Sequence, residues 1–340
     1  MIKILSIVIP TYNMAELLPR CLDSLVNSNL EDSLEVLVVN DGSKDNSLEI
    51  AKEYESRYPN IIHAIDKPNG NYGSAINKGI ELATGKYFRI CDSDDFYNNK
   101  ELCFLIRKLN DCNEDLVLTD YVVDRKGYSI HMEIKGITPE NKMSLRDLDI
   151  SKIKNYAMHS LTIKTSLLKD NKIELQAGIS YTDIEYCYYP LKYAKDILYI
   201  DKSVYRYQVG REGQTVSLES QLRCMSHMVK IINRMLSDLS IHISDSIDKN
   251  RSFIVSRIIN LYLSTALCYD RSNKELPNIN SLVDRIKGNH YLHSLMMQSN
   301  MFGIPFYKRY YNLKKTSNGF LFTLYYKLVK CLGRIYIYIR

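Results

Sequence analysis

Three polar clusters stand directly after short apolar runs. Asp92-Ser93-Asp94-Asp95 follows residues 87–91, Asn40-Asp41-Gly42-Ser43 follows residues 34–39, and Pro10-Thr11-Tyr12-Asn13 follows residues 5–9. Two carboxylates spaced by one residue can share a hard divalent cation with phosphate oxygens, since Mg²⁺ usually binds through one or two carboxylates plus phosphates and keeps several waters. A carboxylate such as Asp41 can accept from a base N–H, and Tyr12 offers a ring for stacking. Each cluster also has a plainer reading. A lone D-x-D is common by chance, Asp-Gly-Ser is a frequent turn and helix cap, and Pro-Thr-Tyr-Asn punctuates loops. Their recurrence at the ends of successive apolar runs sets them apart. No Walker loop and no G-x-G-x-x-G follows the first run, which disfavours a P-loop or Rossmann dinucleotide site.

The elements that position these clusters alternate. Apolar runs at 5–9, 34–39, 61–65 and 87–91 read as strands, and helical spacing appears over 15–25, 43–58 and 74–83. Repeated βα units predict an α/β fold with a mostly parallel sheet flanked by helices, and in such sheets ligands bind at the carboxyl ends of strands. Residues 115–123 and 197–207 read as strands and 181–193 as a helix. Beyond 217 the pattern is helical, over 218–239, 245–269 and 279–297.

The 340 residues carry 45 Lys/Arg against 39 Asp/Glu, yet residues 285–340 hold ten basic and no acidic side chains, so the body is mildly acidic. Mixed with Tyr and Phe, this basic tail suits an anionic lipid surface. A final core-packing helix is the alternative, and nothing else in the chain supports nucleic acid. The eight scattered cysteines form no Cys-x-x-Cys pair, which fits a reduced compartment. No signal peptide and no uncharged apolar run of 18 residues is found.

The series Ser6-Ile7-Val8-Ile9-Pro10-Thr11-Tyr12-Asn13, Val38-Val39-Asn40-Asp41-Gly42-Ser43, Asn69-Gly70-Asn71-Tyr72-Gly73 with Asn77 and Gly79, Thr84-Gly85-Lys86-Tyr87 and Asp92-Ser93-Asp94-Asp95 resembles glycosyltransferase family 2. The likeness is dense over residues 4–100 and thins to isolated motifs by 217. It implies the nucleotide-diphospho-sugar transferase (GT-A) fold. It also implies that Pro10, Thr11, Tyr12, Asp41, Asn77, Asp92 and Ser93 hold the donor, with Asp41 facing uracil. Asp94 would ligate Mn²⁺ or Mg²⁺, and Asp95 is a further acid of the cluster. Where the family often has Arg before Asn77, this chain has Ile76, leaving Lys78 or Arg89 as replacements. Gly178 to Glu185 resembles the segment bearing the family's base. Thr182 replaces its Glu and Asp183 remains, with Glu185 as the alternative; two residues apart on a helix, the two point about 200° apart. Arg206, Arg211 and Gln214 fall in what resembles a loop closing over the donor, and His159 is a candidate facing the acceptor.

The expected organisation is a catalytic domain over 1–215, split into a nucleotide-binding half (1–100) and an acceptor half (101–215). A helical region (216–300) and a basic aromatic tail (301–340) follow. The expected activity is inverting, metal-dependent transfer from a UDP-sugar to a glycan or lipid-linked acceptor in cell-surface polysaccharide synthesis, on the cytoplasmic face of the membrane. A sugar nucleotidyltransferase and a non-catalytic partner of another transferase are the rivals.

Overall fold

The computed structural model describes residues 3–26, 30–211, 214, 215, 217–269, 274–301 and 303–315, with side chains to residue 312. The chain divides into two compact units, 1–212 and 213–340.

The first unit is built on one mixed sheet. Its first half contains β1 (Leu5–Thr11), β2 (Leu34–Asn40), β3 (Ile62–Asp66) and β4 (Tyr87–Ile90), in the order β3-β2-β1-β4 and all parallel. Every residue of β1 and β2 is buried, as expected of parallel strands covered on both faces, which is why they read as unbroken apolar runs. Helices α1 (Leu18–Asp23), α2 (Ser47–Arg57) and α3 (Asn71–Leu82) connect them. The start of α2 falls after the predicted position because Asp45 accepts from Ser47 N and Ala15 N, tying the turn to the loop after β1. Register aligns Thr11, Asn40 and Asp66 across β1, β2 and β3, so the three strands end at one edge. The chain steps to one side of β1 for β2 and β3 and to the other for β4, and such a switch point opens a crevice at the carboxyl ends. The Thr84-Gly85 turn before β4 is held from within: buried Glu35 accepts from Ser6 Oγ, Thr84 N and Thr84 Oγ1, and Ser6 Oγ accepts from Gly85 N.

The second half departs from the expected parallel pattern. After β5 (Phe96–Tyr97) and α4 (Asn99–Asp111) come β6 (Leu116–Arg125), β7 (Tyr128–Met132), β8 (Lys142–Ser144), β9 (Leu161–Lys164), α5 (Thr165–Asp170), α6 (Asp183–Tyr188) and β10 (Asp196–Gln208). Strand β9 is antiparallel to both β4 and β6, β10 runs parallel to β6, and β5, β7 and β8 add antiparallel pairs. Four-residue β9 offers too little pattern for sequence reading. Helix α4 also escaped prediction, although Asn98 caps it by accepting from Glu101 N.

The second unit is helical: α7 (Leu218–Arg223), α8 (Met225–Asp238), α9 (Ser246–Tyr269), α10 (Leu276–Gly288), α11 (His290–Gln298) and α12 (Phe306–Lys315). Two predicted long helices are each broken in two, at Cys224 and at Asn289. Asn289 accepts from Leu292 N and starts a new helix. Helix α9 alone among the described residues is long and apolar enough to cross a membrane by length and composition, and 78% of its apolar window is buried inside the protein. The expected tail begins at 301. Its Phe306, Tyr307 and Tyr310 are buried, so these rings pack into protein rather than meeting lipid. Residues 316–340, with half of the tail's basic side chains and most of its aromatic ones, lie outside the described residues.

Candidate active site

At the carboxyl edge, Asp41 follows β2 and is 3% exposed. Its backbone N donates to Thr11 O, and its Oδ1 accepts from Lys67 Nζ at 2.6 Å and from Gly70 N at 2.9 Å. Tyr12, just past β1, is 43% exposed. Lys67, just past β3, is a site residue that sequence reading missed. Its signal was present, since the third strand end also carries polar residues, Asp66-Lys67.

Beyond β4, one carboxylate oxygen from each of Asp92, Asp94 and Asp95 lies within 4.8 Å of the others. The three carboxylates are held differently. Asp92 accepts from Tyr72 Oη at 2.7 Å, and its backbone N donates to Tyr205 Oη. Asp95 is buried with both oxygens engaged, Oδ2 by Tyr205 Oη at 2.5 Å and Oδ1 by Gln208 N at 2.7 Å. Asp94 Oδ2 accepts from Arg211 Nη2 at 2.8 Å. Desolvation, with Asp94 and Asp183 adding like charge, pushes Asp92 up to about 7, although Tyr72 opposes this. Burial first, then Asp92 and Asp94, also raises Asp95 well above the carboxylate range. Asp183 therefore stands within electrostatic reach of the cluster. Ser93 is buried between the acids.

Asp183 opens α6 and is placed by the segment before it. Asn77 Nδ2 donates to Leu175 O and Asn77 Oδ1 accepts from Leu175 N, while Gly178 N donates to Gly70 O. Asn77 is thus a clamp between α3 and the 175–178 segment; both ends of its amide are engaged there, and the donor contact expected of it is not what they make. Glu185 is fully buried and accepts from Gln176 N and Gln176 Nε2, so it faces inward as the 200° offset predicts. Gly73 lets the two segments meet: a Cβ there would stand 2.2 Å from Gln176 O. Gly73→Ala is expected to cost about 1–3 kcal/mol, read by thermal denaturation. Gly288→Ala, whose Cβ meets nothing within 4 Å, is the control. Equal melting shifts for the two would contradict this account of the clamp.

The sequence offers four further candidates, Arg206, Lys78, Arg89 and Gln214. Arg206 makes a bidentate pair with Asp124, Nε–Oδ2 2.8 Å and Nη2–Oδ1 2.7 Å. Alternation along β10 turns Arg206 to the face opposite Tyr205 and Tyr207. Neither candidate for the missing Arg replaces it: Lys78 pairs with Glu81, and fully buried Arg89 donates to Thr162 Oγ1, Thr119 Oγ1 and His159 O. Gln214 belongs to the second unit, where its carbonyl accepts from Ser217 N.

His159 packs among rings, with centroids 4.2 Å from Tyr207, 5.1 Å from Tyr205 and 5.3 Å from Tyr121. Desolvation, then Arg89, lowers it to about 3. The sign follows: above pH 6.5 the ring is neutral folded or unfolded, and below it only the unfolded chain takes up the proton. Stability attributable to His159 is therefore lost as pH falls from 6.5 toward 3, by at most about 1.4 kcal/mol per pH unit. His159→Phe should melt with a shallower fall in Tm between pH 7.5 and 5 than the wild type. Parallel pH profiles would refute this.

Residues 6–163 match the model of glycosyl transferase family 2. The chain carries a glycosyltransferase family 2 domain. The matched residues end within β9, so α6 and Asp183 lie beyond them. A poly(ribitol-phosphate) beta-glucosyltransferase of Bacillus spizizenii is 31% identical over 218 residues, 63% of this chain and 33% of that one. An uncharacterized glycosyltransferase of Mycoplasma pneumoniae is 43% identical over 95 residues, 27% of this chain and 31% of its own. The match thus spans about a third of these relatives' length. The structure of S. aureus TarS 1–349 in complex with UDP-GlcNAc aligns with a TM-score of 0.63 at 24% identity, over 84% of this chain and 81% of that one. The shared fold is the GT-A fold.

Proposed function

We propose that this protein is an inverting, metal-dependent glycosyltransferase that moves a sugar from a UDP-sugar to a hydroxyl of a glycan or lipid-linked acceptor in cell-surface polysaccharide synthesis. The observation that carries the reading is the convergence of Asp92, Asp94 and Asp183 at the sheet edge that also bears Tyr12 and Asp41. The names of the Bacillus spizizenii relative and of the UDP-GlcNAc complex support the polymer and the donor class.

The donor set fits Mg²⁺ or Mn²⁺, because carboxylate oxygens suit hard divalent cations. Asp92 and Asp94 would hold the ion, Asp95 being committed to Tyr205 and Gln208. Bound there, it would neutralise charge on the departing diphosphate. Tyr12 stacks on the base and Asp41 accepts its N–H. The acceptor oxygen bonds to the anomeric carbon from the face opposite the diphosphate, the bond to the diphosphate breaks, and the hydroxyl proton passes to Asp183. Arg211, already beside Asp94, is the cation in reach of the leaving group. An anionic membrane surface for residues 316–340, on the cytoplasmic face, completes the proposal and rests on their charge alone.

A thermal-shift screen of nucleotide sugars with and without Mn²⁺ tests the reading. A UDP-sugar at 100 times its dissociation constant adds about 2.7 kcal/mol of stability. No metal-dependent shift with any nucleotide sugar would sink it.

A further inference from the structure

Asp41 is surrounded more closely than a base-facing carboxylate requires. Lys67 Nζ lies 2.6 Å from Asp41 Oδ1 and 2.6 Å from Pro68 O. Gly70 N donates to the same Oδ1, and Asn69 Nδ2 donates to Asp41 O at 2.8 Å. The ammonium is itself held in a fitted space. Lys67 N donates to Asn40 O at the end of β2, and a Cβ on Gly70 would stand 3.2 Å from Nζ and 2.5 Å from Ser74 Oγ. Asp41 is 3% exposed and the Lys67 side chain 17%. A pair this dry is oriented rather than loosely screened.

Resting on the nucleoside-site reading above, we infer that Lys67 is the residue that makes this site discriminate between pyrimidines. With Oδ1 taken twice, the plane of the carboxylate is set and Oδ2 is the oxygen left for a base. The ammonium has three protons, of which Asp41 Oδ1 and Pro68 O take two. The site therefore presents an acceptor beside a donor. Uracil has a ring N–H next to a carbonyl, which matches. Cytosine has a bare ring nitrogen next to an amino group, which opposes both. A buried polar group facing the wrong partner is left unpaired, and such sites reject the mismatched ligand strongly. Lys67 thus sets the plane of the Asp41 carboxylate and also offers the donor beside it.

The test is calorimetric titration of wild type, Lys67→Met and Lys67→Arg with UDP and CDP in Mn²⁺. Wild type should prefer UDP over CDP by at least ~10²-fold. Lys67→Met should narrow that ratio at least ~10-fold, mainly by losing UDP, and Lys67→Arg should hold it near the wild-type value. Lys67→Gln is read in the same way should the Met variant fail to fold. A variant that loses UDP and CDP in equal proportion would show Lys67 to be only a support of the loop, overturning the inference. So would a wild type that does not distinguish UDP from CDP. A wild type that binds neither nucleotide refutes the UDP-sugar reading itself, and this inference with it.

Discussion

Asp183→Asn is expected to lower kcat by at least ~10²-fold while leaving the dissociation constant of UDP in Mn²⁺ within about twofold, in line with the removal of a general base. Asn keeps the size of the side chain at the first residue of α6 and cannot take a proton. Geometry separates it from its neighbour. Asp183 stands close enough to Asp92, Tyr72 and Tyr207 to act on all three electrostatically, whereas Glu185 is fully buried and holds Gln176. Glu185→Gln should therefore appear as lost stability, about 1–2 kcal/mol for disturbed buried hydrogen bonds, with a much smaller change in kcat. The reverse ranking in steady-state kinetics would move the base to Glu185.

Asp94→Ala should abolish detectable transfer and weaken Mn²⁺-dependent UDP binding by at least ~10²-fold, about 2.7 kcal/mol. A diphosphate brought against Asp92, Asp94 and Asp95 without a cation meets three acids, two of which are already raised by burial and mutual repulsion. The fold should hardly notice, since the Arg211 ion pair lost with Asp94 is partly exposed, at 38% and 14%. Asp95→Asn makes the contrast: it disturbs the bonds to Tyr205 and Gln208 and should cost stability first. Titration of each variant with UDP, with and without Mn²⁺, reads both effects. Undiminished Mn²⁺-dependent binding by Asp94→Ala would remove Asp94 from the metal site.

The strand ends were legible in sequence for a definite reason. Parallel strands buried on both faces are contiguous apolar runs, so their limits are visible, and the polar residues just past β1, β2 and β4 stood out at once. The offset between Asp183 and Glu185 was equally legible, because helix geometry depends only on local spacing. The tertiary structure decided which side chain meets which. Asn77 lies 98 positions from Leu175, Arg206 82 positions from Asp124, and Arg211 117 positions from Asp94. Periodicity carries information across a few turns of helix or a few residues of strand, and nothing local records a partner that far away. Two of the expected site residues, Asn77 and Arg206, take such distant partners in Leu175 and Asp124. For the same reason Lys67, adjoining β3, acquires chemical meaning only once the sheet brings it beside Asp41.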